Sequence, residues 1–503
     1  MSNGEPTVKK LILASLMTAL LTSNAVMASP LLDTIHNGNL GQAVAMVEDG
    51  ADVNAREANG TTALHWAIYN NYLPLVQALV DAGADINTSN DYGSSPMSEA
   101  AVQGDYQIMK TLLDAGADPD SPNADNQTAL MIIARSDNVD TARLLIDAGA
   151  DVHATEKWQG QNALIFAAAQ SQPEMVKLLL DAGANPDSHS IPNQRDRQVT
   201  AERRFQWRPA GGLTALAYTA REGCLACARH LVEAGADIDL GDAENVTPLN
   251  LAVMNMRFDT AKYLVEAGAN VNKWSLRGEN PIYSAVDVNT LPHGGYPDRP
   301  STDNTSSLEM IEILLEAGAN PNLQLKLQPT YRSLKDDRGA DRMLNIGATP
   351  LLRAAKGHDV PAIRLLLEHG AHPNLPNRDG NTPLMAAAGL NASSIDTRGN
   401  YTTPLVGQNA SDTIEVLLAN GAELELTDRY GRTALHGAAS WGWNEAVKTL
   451  VDHGANIMAE DDNGLTPFDY AMGERSGGFG RGGGGDIHQE TADLLQELML
   501  AGR

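Results

Sequence analysis

Two cysteines, Cys224 and Cys227, are the only thiols in 503 residues, and they stand three apart in REGCLACARHL. A C-x-x-C pair at a helix start can close a disulfide, and the helix N-terminus lowers a thiol pKa. Three readings stay open here: a structural disulfide, two free thiols, or a redox-active pair. Haem attachment needs C-x-x-C-H, whereas Ala228 follows Cys227. Zinc needs two further ligands, and no other cysteine exists; the register of His230 favours packing. His65 and His436 belong to a recurring tetrapeptide and are expected to bond within the repeat. His358, His369 and His372 lie close in sequence, but the last two straddle a helix end, so no metal site is expected. Neither a nucleophile elbow nor a paired-His zinc helix is present. The GRGGGG run at 480–485 lacks the strand and the Lys-Ser/Thr of a phosphate-binding loop. No catalytic residue and no cofactor are therefore expected, and the chain does not read as an enzyme. Two other classes stay open: an enzyme whose site is built from inserted loops, and a redox or stress-response accessory using Cys224 and Cys227.

Contact chemistry is better represented. The stretch IPNQRDRQVTAERRFQWRPAGG holds Arg195, Arg197, Arg203, Arg204 and Arg208 with Phe205 and Trp207, in a chain of net charge −27 and pI near 4.7. Arg and Trp are enriched where binding energy concentrates, so Arg203, Arg204, Phe205 and Trp207 are expected to touch a protein partner. The other reading is a solvated loop folded onto its own acidic body. That acidic balance repels nucleic acid and anionic membrane, and neither is an expected partner.

The elements that carry these residues repeat. An apolar run, a polar residue and then Gly-Ala-Asp or Gly-Ala-Asn recur, with glycines at 50, 83, 116, 149, 183, 235, 268, 318, 370, 421 and 454. Their spacing is 33 or 34 residues, except at four intervals of 50 to 52. A second phrase keeps register: TALH from Thr62, TALM from Thr128, TALA from Thr214, TPLN from Thr247, TPLL from Thr349, TPLM from Thr382, TALH from Thr433 and TPFD from Thr466, with weaker copies at Ser95, Asn162 and Asn280. Thr caps a helix by accepting a first-turn N–H. Pro fits the first helical position, where no N–H partner is needed. The closing Gly takes the left-handed conformation after a second helix. Each unit is a helical hairpin with a projecting turn, and it buries its apolar face only against its neighbours.

The 33-residue period with T-P-L-H resembles the ankyrin repeat family over residues 31–502. The resemblance implies an all-α solenoid of about twelve helix–turn–helix units with β-turn fingers. It also implies a concave recognition surface built from fingers, turns and inner helices. By register Trp66 and Tyr69 lie on an inner helix, Trp441 and Trp443 flank a helix–helix turn, and Arg429, Tyr430 and Arg432 lie on the adjacent finger. Tyr69, Arg429, Tyr430, Arg432, Trp441 and Trp443 join the expected partner contacts. Trp66 is expected to pack between repeats. Trp441→Ala is expected to weaken partner binding with little effect on stability.

The expected organisation is modular. Residues 1–28 read as a signal peptide: Lys9 and Lys10 precede the apolar run Leu11–Leu21, and Val26-Met27-Ala28 precedes Ser29. Residues 29–56 form an N-terminal capping repeat, 57–463 the repeats proper, and 464–503 a C-terminal cap with a Gly-rich loop at 473–486. Four insertions fall at 186–211, 288–306, 324–346 and 389–411. The first and third lie in the finger position, the other two between paired helices. Insertions in a solenoid loop out to one face, often the binding face. No membrane span remains after signal cleavage, and the protein is expected to be an exported, bacterial, periplasmic or secreted monomer that binds protein partners.

Overall fold

The computed structural model describes residues 29–192, 196–197, 206–207, 211–290, 303–327, 343–392, 405–474 and 486–502. Among them the chain forms helices in antiparallel pairs, and two compact units result. The first ends at Ala167 and includes Glu174–Ala184; the second takes Ala168–Pro173 and the chain from Asn185 onward. The one ribbon seen is a two-residue antiparallel pair, Asp196–Arg197 with Gln206–Trp207, inside the first insertion.

In the first unit the inner and outer helices alternate as Pro30–His36 and Leu40–Glu48, Ala63–Tyr69 and Leu73–Asp81, Pro96–Gln103 and Tyr106–Asp114, Ala129–Ile133 and Val139–Asp147, then most of Ala163–Ala169 and Pro173–Asp181, whose ends Ala168–Pro173 belong to the second. The second unit continues with Ala215–Glu222 and Leu225–Glu233, Pro248–Met254 and Phe258–Glu266, Pro281–Asn289 and Ser307–Glu316, Pro350–Lys356 and Val360–Glu368, Pro383–Ala387 and Val406–Ala419, Ala434–Trp441 and Asn444–Asp452, and Pro467–Ala471 and Gln489–Leu500. Inner helices pack on inner helices, and outer on outer. The helical, paired-hairpin reading of the sequence is what the chain builds.

The local reasons are those the repeat encodes. Thr214 and Thr349 accept the N–H of Ala217 and Leu352 at 3.0 and 3.1 Å, capping their helices. The outer helix Leu73–Asp81 ends as Gly83 swings to φ +84°. Leu64, Ile68, Leu75 and Leu79 are fully buried between these layers. Each such side chain contributes ~2 kcal/mol of burial, repeated at every level of the stack. Two insertions separate paired helices, between Asn289 and Ser307 and between Ala387 and Val406.

Candidate interaction surface

Six fingers begin with an Asn or Asp side chain that folds the backbone over itself. Asn90 Oδ1 accepts the N–H groups of Tyr92 and Ser94, both at 3.0 Å. Asp428 Oδ1 accepts those of Tyr430 and Arg432 at 2.9 and 3.0 Å. Asn123, Asp242, Asn377 and Asp461 do the same in their own fingers. Short carboxylate and amide side chains favour such turns because they reach their own backbone two and four residues on.

Fingers are then tied to one another. In the first unit the N–H of Asp91 donates to Asn59 O at 2.8 Å, and that of Lys157 to Asp125 O at 3.2 Å. In the second unit Leu276 donates to Glu244 O, Lys326 to Arg277 O, Arg378 to Ile346 O, Arg429 to Asp379 O and Asp462 to Tyr430 O, all within 2.7–3.0 Å. A second ladder runs where finger meets helix. Asn54 Oδ1 accepts Asp85 N–H at 2.8 Å while its Nδ2 donates to Gly83 O. The same acceptance recurs from Asn87 to Asp118 and from Asp120 to Asp151. The second unit carries it from Asp187 to Asp237, Asp239 to Asn270, Asn272 to Asn320, Asn322 to His372, Asn374 to Glu423 and Glu425 to Asn456. The residue after Gly-Ala thus gives its N–H, and the Asn, Asp or Glu two further on gives its side chain, to the stack. At a net ~1 kcal/mol per bond, the two ladders fix finger positions without burying much surface.

Acids and bases of the second unit separate within this frame. The turn-former Asp428 and Asp379, two residues after the turn-former Asn377, are buried, while Arg378 and Arg429 stand exposed on the same fingers. Asp379 receives both guanidiniums, at 3.5 Å from Arg378 and 2.8 Å from Arg429. One finger earlier Lys326 is exposed, its Nζ 4.0 Å from the centre of the Trp274 ring. Trp274, Leu276 and Leu327 are exposed there too, beside an open groove of about 520 Å³ lined by Trp274, Leu323, Leu325, Lys326 and Ile346. Sequence reasoning did not single out Trp274, Lys326 or Arg378.

The expected contact residues divide. Tyr69 is 60% exposed on its inner helix, edge-on to Trp66 at 5.6 Å. Trp66 itself packs edge-on to His36 of the preceding repeat and donates to Glu57, so it joins repeats as expected. Arg429 is exposed, and Tyr430 lies between the guanidiniums of Arg429 and Arg432, 4.7 and 5.0 Å from their carbons. Arg432 is a correction: it is 7% exposed, its guanidinium donating to the Asp428 carboxylate and to Asn391. Trp443 is a second correction, 5% exposed under the edge-on ring of His358. Both occupy positions that their repeats turn inward, so neither presents its side chain to solvent. Trp441 is half-buried, stacked on Trp443 at 5.7 Å, and donates Nε1–H to Gly389 O at 2.9 Å. Its truncation is therefore expected to lower stability by about 1–2 kcal/mol, read as a drop in the denaturation midpoint. An unchanged midpoint would restore the purely contact-making role. Arg203, Arg204 and Phe205 lie outside the described residues, as does the side chain of Trp207. So do residues 1–28, the expected signal peptide, and the centres of the other three insertions.

Cys224 caps the outer helix Leu225–Glu233, and its sulfur accepts the N–H of Cys227; the two sulfurs are bonded at 1.98 Å. The two residues thus join the turn to the first turn of the outer helix. Among the described residues no three His, Cys, Asp or Glu side chains gather in a metal-binding group, and no helix is long and apolar enough to cross a membrane.

The histidines are staples between repeats. Nε2 of His65, His358 and His436 bonds the carbonyls of Ser94, Ala387 and Leu465, each 29 residues on, at 2.9–3.1 Å. Burial pushes all three below the usual 6.5, partly offset by those carbonyls. In the unfolded chain each takes up a proton as pH falls through 6.5, while the folded chain resists. Their contribution is full above 6.5 and is lost as pH falls through it. The denaturation midpoint should thus drop between pH 7.5 and 5.5, and drop less in a His65→Gln chain. An equal pH slope in both chains would contradict the assignment.

Comparison with known proteins agrees with the repeat geometry. The family model described as Ankyrin repeats (3 copies) matches residues 2–90, 31–123, 97–190, 197–274, 304–396 and 405–479, more than half the chain. Putative palmitoyltransferase ZDHHC13 of Danio rerio is 29% identical over 252 residues, covering 50% of this chain and 31% of that protein. Neurogenic locus Notch protein of Drosophila melanogaster is 35% identical over 125 residues, 23% of this chain and 4% of that one. The chain thus spans less than a third of these relatives' length. The crystal structure of human ASB11 ankyrin repeat domain aligns with 44% of this chain and 91% of that chain, at 21% identity and a TM-score of 0.36.

Proposed function

The chain belongs to the ankyrin repeat family, and from that premise we propose that it is an exported, non-enzymatic scaffold that binds partner protein through its concave face, fingers and inserted loops. Repeats of this family serve protein–protein interaction. The observation that carries the reading is the interlocked finger row: turns pinned by their own Asn and Asp, tied tip to tip, with exposed aromatic and cationic side chains at the ends. Side chains held in place before a partner arrives lose little freedom on binding, which leaves more of the contact energy as affinity.

Export rests on Lys9, Lys10 and the apolar run Leu11–Leu21, and the periplasm of a bacterium is the proposed site. The Cys224–Cys227 bond fits an oxidising compartment, where such bonds persist. Two measurements test the proposal. Cell fractionation should find a chain beginning near Ser29 outside the cytosol, with Cys224 and Cys227 resistant to alkylation until reduced. Cross-linking in native extract should capture a defined partner. A cytosolic full-length chain refutes export; the absence of any captured protein refutes the scaffold.

A further inference from the structure

The basic tips of the second unit form a bounded row in a chain of net charge −27. The residue whose N–H ties each finger to the one before is Leu276, then Lys326, Arg378 and Arg429 in succession, and then Asp462. In the first unit the residues in that place are Asp91 and Lys157, and Lys157 lies 3.5 Å from Asp125. Three consecutive cationic tips are thus a feature of these fingers, not of the repeat. Among the described residues, the carboxylates of these fingers are buried and fewer than the cations. Asp428 is buried with Arg432, and Asp379 is buried beneath Arg378 and Arg429 together, one carboxylate against two guanidiniums. In that place Ala243 stands before the row and Asp462 after it, and they limit it at both ends.

Among the described residues, large apolar side chains are exposed at the Lys326 end of the row. Trp274, Leu276 and Leu327 are exposed by 42%, 57% and 48%, and Trp274 lines the groove that reaches Leu323 and Ile346. Lys326 lies over the Trp274 ring, so the last apolar position and the first cation are adjacent. Successive repeats stack about 10 Å apart, as packed helices do. The row from Trp274 to Arg429 therefore spans ~30 Å, the length of about nine residues of extended chain.

We propose that this row is a docking site for an extended acidic peptide of a partner protein, with one large apolar side chain seated at Trp274 and carboxylates about three residues apart facing Lys326, Arg378 and Arg429. The proposal rests on the scaffold reading and names the chemistry of its partner. Tyr430, between Arg429 and Arg432, closes the far end with an aromatic face. Arg presents a planar fork to a carboxylate. The guanidiniums of Arg378 and Arg429 are about half exposed while sharing Asp379, and Arg429 also donates to the Tyr430 hydroxyl.

The test uses the full chain and a fluorescent ten-residue peptide with Phe at one end and Glu at every third position, Gly and Ser between, together with its reversed sequence. Controls replace Glu with Lys, or Phe with Ser. The acidic peptide in one of its two directions should bind at least roughly tenfold more tightly than the lysine control, and more weakly as salt rises. A chain carrying Lys326→Gln, Arg378→Gln and Arg429→Gln should lose roughly tenfold in affinity, and Trp274→Ala roughly three- to tenfold. Asp91→Asn, in the other unit, should leave binding unchanged. These substituted side chains are exposed, and an unchanged melting curve verifies that the stack is intact. Equal binding of acidic and lysine peptides, or wild-type affinity in the triple variant, overturns the proposal. Tighter binding of a single-stranded oligonucleotide than of the acidic peptide overturns it in favour of nucleic acid. Partner capture by the triple variant separates the two readings: a partner still held leaves the scaffold standing and removes this row from it.

Discussion

Asp287→Ala is expected to cost the second unit about 3 kcal/mol, because it strips a carboxylate from a guanidinium that has no access to water. Arg353 is fully buried on the inner helix Pro350–Lys356, and its Nε donates to Asp287 of the preceding inner helix Pro281–Asn289. Lys356 is buried one turn further on. Removing Asp287 raises the cost of keeping the Arg353 guanidinium out of solvent. A repeat array need not melt as one piece, so the measurement is local: hydrogen exchange should lose protection in Pro281–Asn289 and Pro350–Lys356 while Ala63–Tyr69 keeps it. Adding Arg353→Met to Asp287→Ala should recover much of the loss, since a buried apolar side chain needs no counter-charge. A loss below about 1 kcal/mol in the single variant, or no recovery in the double, would show that Asp287 does not hold Arg353 in place.

Gly278→Ala should cost about as much, for a steric reason. Gly278 sits at φ +84°, and a Cβ built there lies 2.6 Å from the backbone nitrogen of Lys326 and 3.0 Å from Gln324 O. Neither atom belongs to a side chain that can swing away. Gly83 supplies the control: it has the same φ of +84° and nothing within 4 Å of its Cβ position. Gly83→Ala therefore bears only the left-handed backbone penalty, about 1–2 kcal/mol. Gly278→Ala adds the displacement of the next finger, for a total of about 3 kcal/mol. It should also weaken the acidic peptide, since Lys326 hangs on the displaced segment. Equal losses at the two glycines would mean that the fingers yield to one another without strain.

Much of this fold is legible because each repeat answers the same demands. Thr caps the first helix, Gly stops the second, and the period between them is the stacking unit. The finger chemistry was legible too, but only with the repeats laid in register. Asp428 stands five residues before Thr433, as Asn90 stands before Ser95 and Asn123 before Thr128. An acid there is a turn-former and turns inward, so the adjacent arginines are not balanced at the surface. Arg432, directly before Thr433, shares a place with Thr61 and Val246, both buried. Read alone, it passes for a surface cation. Asp287 and Lys356 likewise occupy one register position in neighbouring repeats, the seventh after the capping residue, which at Tyr69 faces solvent. The partner of Asp287 is instead Arg353, which the register of the two repeats does not state. Trp443 was misread for a related cause. Its ring fills the space beside Gly389, where an added Cβ would meet it at 2.6 Å, and nothing local in the sequence states that closeness.

The ladder of Asn and Asp has a consequence for how such a chain can change. A rung spans 31 residues between Asn54 and Asp85, between Asn87 and Asp118, and between Asp239 and Asn270. It spans 48, 49 or 50 where an insertion intervenes, with the same kinds of atoms still 2.7–2.8 Å apart. Stacking is therefore indifferent to what the chain does between rungs. Loop length and loop content are free variables of this architecture, open to gain, loss or exchange without renegotiating the core. A foreign peptide spliced into any of the four insertions would be displayed on a scaffold that does not register its arrival.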